Sequence, residues 1–202
     1  MIFIVADREH PERDRLERTV RSVFLAEYGA YVPSFPNRLV AALSDSGEQA
    51  GQPEAVAGLR FAEDGFFSET YLDDTAERVL GRVLGRTVRR DEIVEFSSLA
   101  AVRSGAAMPL VGAAIRLCLE AGAGFGMFTA THRLRALLRR FGLVTVDLGP
   151  AAPERVADAS VWGRYYLHDP RILVVSADTL PSACLPPAIP SLDVPKLEIR
   201  HA

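Results

Sequence analysis

Ile93-Val94-Glu95-Phe96-Ser97-Ser98-Leu99-Ala100-Ala101-Val102 runs directly into Arg103-Ser104-Gly105-Ala106-Ala107-Met108-Pro109. The first stretch, taken from residue 91, predicts a long strand bounded by charged residues. The second is a turn of small residues entering a helix at a proline, a residue favoured in the first helical turn. Leu110, Val111, Ala114, Ile115 and Cys118 then recur at helical spacing and should face inward. The glycines of residues 122–126 end that helix, and residues 126–131 predict a buried strand. A second helix follows over residues 132–141, with Leu134, Leu137 and Leu138 inward and Arg133, Arg135, Arg139 and Arg140 outward. Gly142 stops it. Two strands bracketing one crossover helix run parallel. The unit over residues 93–143 therefore decides the fold.

Outward from this unit the pattern becomes antiparallel. Residues 2–6 predict a first strand, and Pro11 opens a helix with Leu16, Val20, Val23, Phe24 and Tyr28 on its apolar stripe. Its arginines and glutamates fall on the other face, and Gly29 stops it. Residues 39–43 and 55–61 predict a hairpin with a long polar connection. A short helix follows over residues 75–84. Residues 143–148, 162–167 and 172–176 predict three further strands. From residue 179 five prolines fall within seventeen residues, which predicts an extended tail over 179–202 behind a single domain of residues 1–178. The expected class is α/β (α+β): a mixed, mostly antiparallel sheet with helices on both faces.

Bulk properties exclude several functions. The chain has 202 residues, 49% hydrophobic and 24% charged, as in ordinary globular domains. A net charge of −3 gives no global pull toward nucleic acid or anionic lipid. Residues 1–6 are too short and too soon followed by Asp7, Arg8 and Glu9 for a signal peptide. No apolar run is long enough to span a bilayer. These features predict a cytoplasmic protein without stable membrane insertion. Cys118 and Cys184 read as free thiols rather than a disulfide.

The turn at residues 103–108 has two readings. Small side chains let a backbone approach a ligand, a helix N-terminus favours an anion, and Arg103 adds a cation, which together make a pyrophosphate cradle. A tight strand–helix turn needing small residues fits equally well.

The order of elements resembles the GNAT acyltransferase fold and its relatives, the acyl-homoserine lactone synthases. In GNAT proteins the strand before the cradle splays from the next one, and the donor's pantetheine arm lies in the gap. Arg103, Gly105 and Ala107 follow the family's Gln/Arg-x-x-Gly-x-Gly/Ala loop with one residue fewer. A closer resemblance, over nearly the whole chain, is to the thermostable hemolysin family. It is carried by residues 27–30 (Glu-Tyr-Gly-Ala), 57–60 (Ala-Gly-Leu-Arg), 67–73 (Phe-Ser-Glu-Thr-Tyr-Leu-Asp), 93–95 (Ile-Val-Glu), 99–100 (Leu-Ala), 128–131 (Phe-Thr-Ala-Thr) and 162–166 (Trp-Gly-Arg-Tyr-Tyr). Where that family has Gly-Asn, this chain has Ser97-Ser98, which implies altered substrate contacts.

The resemblance implies a splayed central strand pair and an acyl-donor site for coenzyme A or the phosphopantetheine of a carrier protein. Leu99, Ala100, Val102 and Thr129 would meet the arm, and Arg103, Ser104, Gly105, Ala106, Ala107 and Met108 the phosphates. Glu95 would take a proton from an amine acceptor, because a carboxylate in such a cleft has a raised pKa. The bland reading of Glu95 is a salt bridge to Arg60 on the neighbouring strand. Glu69 would hold the acceptor's cationic end or else form a surface ion pair. Trp162 would line the acceptor pocket or pack in the core. Tyr165 or Tyr166 would protonate the leaving thiolate. Thr131 reads as a helix cap. No His, Cys or carboxylate set has metal spacing, so no metal is expected. The four arginines of residues 133–140 would receive an acyl carrier protein or form a solvated face. A homodimer is left open. The function expected is acyl transfer to a small-molecule amine in biosynthesis. The alternatives are a cytolytic, membrane-acting protein and a GNAT-like binding module without catalysis.

Overall fold

The computed structural model describes residues 1–182 and the pair Leu192–Asp193. Most of the proline-rich tail, with Cys184, lies outside the described residues. The strands are β1 (Ile2–Ala6), β2 (Arg38–Leu43), β3 (Pro53–Arg60), β4 (Ile93–Ala101), β5 (Phe125–Ala130), β6 (Val146–Pro150), β7 (Arg171–Ser176) and β8 (Leu192–Asp193). The helices are α1 (Arg13–Tyr28), α2 (Ala76–Leu84), α3 (Ala107–Glu120) and α4 (His132–Arg140). One sheet forms in the order β6-β7-β5-β4-β3-β2-β1-β8. The β4–β5 pair is parallel, as its crossover helix requires, and the short β8 lies parallel to β1. The remaining pairs are antiparallel. This is the mixed, mostly antiparallel sheet expected.

Side-chain alternation distributes the core over both faces. Leu39, Ala41 and Leu43 of β2 meet Leu16, Val20 and Phe24 of α1. Val40 and Ala42, pointing the other way, meet the layer of Leu110, Ala114 and Leu117 on α3. α2 joins the α1 face through Ala76 and Leu80, which pack with Ile93, Met127 and Ile172. α4 joins the α3 face through Leu138 and Val175. Among the described residues no helix is long and apolar enough to cross a membrane.

Four expectations need correction. Arg13 does not face solvent with the other arginines of α1. It is buried, and its guanidinium donates to the carbonyls of Pro36 (2.6 Å), Asn37 (2.9 Å) and Ala6 (3.3 Å), tying down the chain entering β2. The helix expected at Pro109 begins two residues earlier, at Ala107. The strand expected over residues 143–148 starts at Val146, because Leu143 belongs to the end of α4. Its N–H donates to Leu138 O and that of Gly142 to Arg139 O, a Schellman closure with Gly142 left-handed.

The strand expected over residues 162–167 is two turns of 3-10 helix, Ser160–Trp162 and Tyr165–His168. Gly163, at φ 52° and ψ −119°, reverses the chain between them. The segment docks on the end of α1: Arg164 N donates to Tyr28 O (2.7 Å) and Tyr31 N to Val161 O (2.6 Å). A Cβ on Gly163 would lie 2.4 Å from Tyr28 O, so only glycine fits. Gly163→Ala is therefore expected to destabilise the protein by about 1–3 kcal/mol. It should also red-shift the emission of Trp162, the chain's single tryptophan, and unchanged emission and urea midpoint would contradict this docking.

Candidate active site

β4 pairs with β5 only from Ile93 to Phe96. On its other side β4 stays paired with β3 as far as Ala101. From Ser97 onward its backbone on the β5 side therefore faces a gap. At the same point the register with β3 shifts: Gly58 opposes Ser97 and Val56 opposes Ala100, leaving one extra residue in β4. Ser98 takes φ 52° there, a left-handed conformation that a non-glycine residue adopts at some cost. The bulge inverts the side-chain parity. Ile93 packs toward α2 and Val94 toward α3, yet beyond the bulge Leu99 faces α3 and Ala100 faces α1.

Two pockets adjoin at this gap and share Phe96, Ser97, Ser98, Leu99, Thr129 and Leu134. On the α3/α4 face lies an apolar pocket of about 870 Å³, open mouth included, which extends between Ile115, Leu138 and Val175 to Leu180. On the α1 face lies a pocket of about 850 Å³ with a different lining. Its walls are Tyr28, Phe67, Trp162 and Tyr165, and its only charged members are Arg60 and Glu95.

Glu95 is buried, with only 1% of its surface exposed. Its Oε1 accepts from the Ser68 hydroxyl (2.5 Å) and the Ser68 N–H (2.9 Å), and its Oε2 accepts from the Phe67 N–H (2.6 Å). Arg60, its cross-strand neighbour, approaches Oε2 at 3.9 Å. Burial pushes the carboxyl above its ordinary range, against the pull of the Ser68 and Phe67 bonds and of Arg60. The salt bridge and the cleft carboxylate are thus one arrangement. Ser68 carries it further, since its hydroxyl also lies 3.0 Å from that of Thr129 at the gap. A hydroxyl chain links the gap to Glu95.

The other expected residues divide. Ser97, Ser98, Leu99, Thr129, Trp162 and Tyr165 line the pockets. Trp162 tilts against Phe67 and Tyr165, each at 5.8 Å between ring centres. Burial pushes the Tyr165 phenol up, helped by Tyr28 and Tyr166, so it stays protonated at neutral pH. Tyr166 lies outside both linings and shares a 2.9 Å hydrogen bond with Tyr71. Thr131 caps α4, accepting from Leu134 N at 3.4 Å.

Glu69 lines neither pocket. Its carboxylate is held by Arg90 and accepts from Ala76 N (2.7 Å) at the start of α2, which is the ion-pair reading. Ala100, Val102, Arg103, Ser104, Gly105, Ala106, Ala107 and Met108 line neither pocket. Ala100 and Ala106 are core residues, Val102 N donates to Glu54 O, and the Arg103 guanidinium is paired with Glu54 at 2.7 Å. Pro109 takes one of the first-turn positions of α3 and removes its N–H. Arg135 is not outward like its neighbours, being bound to the Ala130 carbonyl and to Asp169. Cys118 is buried, and burial pushes its thiol up, which leaves it unreactive. Sequence reading gave no site role to Ser68 and Tyr71, which sit in a short turn where periodicity carries no signal, and read Tyr28 only as part of the apolar stripe of α1.

The splayed β4–β5 pair in a mixed sheet with helices on both faces defines the GNAT-like class of fold. Within it, the chain belongs to the thermostable hemolysin family, whose pattern it matches over residues 6–180. No functionally curated protein is significantly similar to it. Among solved structures it resembles BjaI, a CoA-dependent acyl-homoserine lactone synthase with SAM and isopentyl-CoA. That likeness has a TM-score of 0.65 at 17% identity, over 98% of this chain and 96% of that one. It also resembles TofI in a ternary complex with an inhibitor and MTA (TM-score 0.60, 18% identity, 93% of this chain and 98% of that one). A third likeness is to FeeM, an N-acyl amino acid synthase from uncultured soil microbes (TM-score 0.55, 13% identity, 85% of this chain and 94% of that one). At these identities the likeness is one of fold.

Burial of Glu95 has a thermodynamic signature. Its folded pKa lies above the unfolded value of about 4.3. The native state therefore holds the proton more tightly, and this group's contribution to stability falls as pH rises through that window. Glu95→Gln is expected to remove that decline, seen as a flatter pH slope in urea unfolding. Identical slopes for the two proteins would contradict the burial.

Proposed function

We propose that the protein is an N-acyltransferase of small-molecule biosynthesis, moving an acyl group from a phosphopantetheine thioester to an amine. The observation that carries the reading is the gap between β4 and β5, with an apolar pocket on one side and a polar aromatic pocket holding a buried carboxylate on the other. The likeness to the fold of acyl-homoserine lactone synthases and of an N-acyl amino acid synthase supports it.

The donor, coenzyme A or a carrier protein's arm, supplies the activated thioester. The acyl chain lies in the apolar pocket, along the strand from Phe125 to Thr129, about 13 Å. Backbone N–H groups of β4 near Leu99 polarise the thioester carbonyl, a contribution worth roughly 10²–10³ in rate. Glu95 takes the amine's proton through Oε2, which has one protein donor where Oε1 has two. The amine nitrogen bonds to the carbonyl carbon as the C–S bond breaks; the Tyr165 hydroxyl donates a hydrogen bond to the departing thiolate and relays a proton to it from solvent, so that no tyrosinate is left, and Glu95 returns its proton to water. The adenosine end of coenzyme A would lie over residues 103–108. A carrier protein would dock instead on the exposed Arg133, Arg139 and Arg140.

Native mass spectrometry of the purified protein is expected to reveal a bound acyl thioester. Transfer assays with acyl-CoA and with acyl carrier protein then separate the two donors. Glu95→Gln should lower kcat by roughly 10²–10⁴ and abolish the rising limb of the pH–rate profile. Ile115→Trp, which fills the apolar pocket, should shift preference to shorter acyl chains. No transfer from either donor to any amine, or an Ile115→Trp enzyme with unchanged chain preference, would overturn the reading.

A further inference from the structure

The acceptor pocket holds charges of both signs side by side. Arg60 and Glu95 sit opposite each other on β3 and β4 and are the only charged residues in its lining. Their closest atoms are 3.9 Å apart, beyond hydrogen-bonding distance. Glu95 has its bonds from Ser68 and Phe67, whereas Arg60 lacks an equivalent. Its Nε is buried without a hydrogen-bond partner, and Glu95 is its only ion-pair partner among the described residues. Ser97, in the same lining, has a buried hydroxyl oxygen with no partner either. A guanidinium with a buried, unpartnered donor beside an aromatic pocket is costly to maintain, and an anionic ligand at its accessible end would offset that cost.

We infer that Arg60 is a carboxylate-binding site and that the acceptor is an α-amino acid with an apolar side chain. This rests on the acyltransferase reading and deepens it. An amine and a carboxylate on neighbouring carbons match the spacing of the two charges, with the amine at Glu95 Oε2 and the carboxylate at the Arg60 guanidinium. The planar fork of arginine suits a carboxylate. Tyr28, Phe67, Trp162 and Tyr165 then enclose the side chain. The product would be an N-acyl amino acid with its carboxylate intact. The carboxylate site also orients the acceptor, directing the amine to the gap where the thioester lies.

Trp162 in this pocket reports binding without turnover. Leucine, phenylalanine and methionine would each be titrated beside the corresponding amide and decarboxylated amine, with and without saturating coenzyme A. At least one amino acid is expected to perturb Trp162 emission at concentrations roughly 10–100-fold below its amide and amine, the loss of one charged hydrogen-bonded contact. Arg60→Gln should erase that difference without weakening the amine, and Arg60→Lys should keep part of it. Thermal melts establish that both variants fold. Amides binding as tightly as amino acids, no binding by any amino acid, or Arg60→Gln weakening all ligands equally would overturn the inference. Selective amino-acid binding without any acyl transfer would leave the carboxylate site standing and sink the acyltransferase reading instead.

Discussion

The proposed active site depends on one lost pairing. β4 keeps β3 as a neighbour from Glu95 to Ala101 and loses β5 after Phe96. A strand cannot leave backbone N–H and C=O groups unpaired in a buried place without cost, so such a gap calls for water or a ligand to fill it. The bulge at Ser98 belongs to the same construction. It inverts side-chain parity, so that Leu99 faces the apolar pocket while Ala100 stays in the core. Without it the two pockets would not share a wall of small and apolar residues.

Glu95 connects this gap to the rest of the fold. A carboxylate this buried is tolerated because Phe67 and Ser68 bring it three hydrogen bonds. The same bonds fasten the turn at Phe67–Tyr71 over the sheet, and that turn supplies one wall of the pocket on the α1 face. The structural role and the proposed chemical role therefore coincide in one side chain. Glu95 shapes the pocket by holding its wall, and Oε2 with Arg60 gives the pocket its charge.

Much of this was legible from sequence, for identifiable reasons. The β4–α3–β5–α4 unit is long and strongly periodic, so its strands, its helices and its parallel pairing follow from spacing. Glu95 was singled out through the family resemblance, on a strand expected to flank the donor's gap. The segment after β6 was misread because Trp162, Tyr165 and Tyr166 have the composition of a strand, while Gly163 reverses the chain between them. Arg13 was misplaced because periodicity assigns charge to the outer face and cannot foresee three carbonyls converging on a guanidinium. Arg60 was read as the partner that would make Glu95 ordinary. Only geometry reveals that the pair stands at 3.9 Å with the arginine unsatisfied. Ser68 gave no signal because its meaning lies in contacts with residues 27 and 61 positions away.

The central claim is that an acyl thioester occupies the gap between β4 and β5. Hydrogen exchange followed by mass spectrometry, with and without a non-hydrolysable acyl thioester of phosphopantetheine, addresses it directly. The account predicts new protection concentrated at the unpaired side of β4, over residues 97–101, and at Thr129. Exchange there that is unchanged by a ligand shown to bind, or protection confined to another face of the protein, would contradict it.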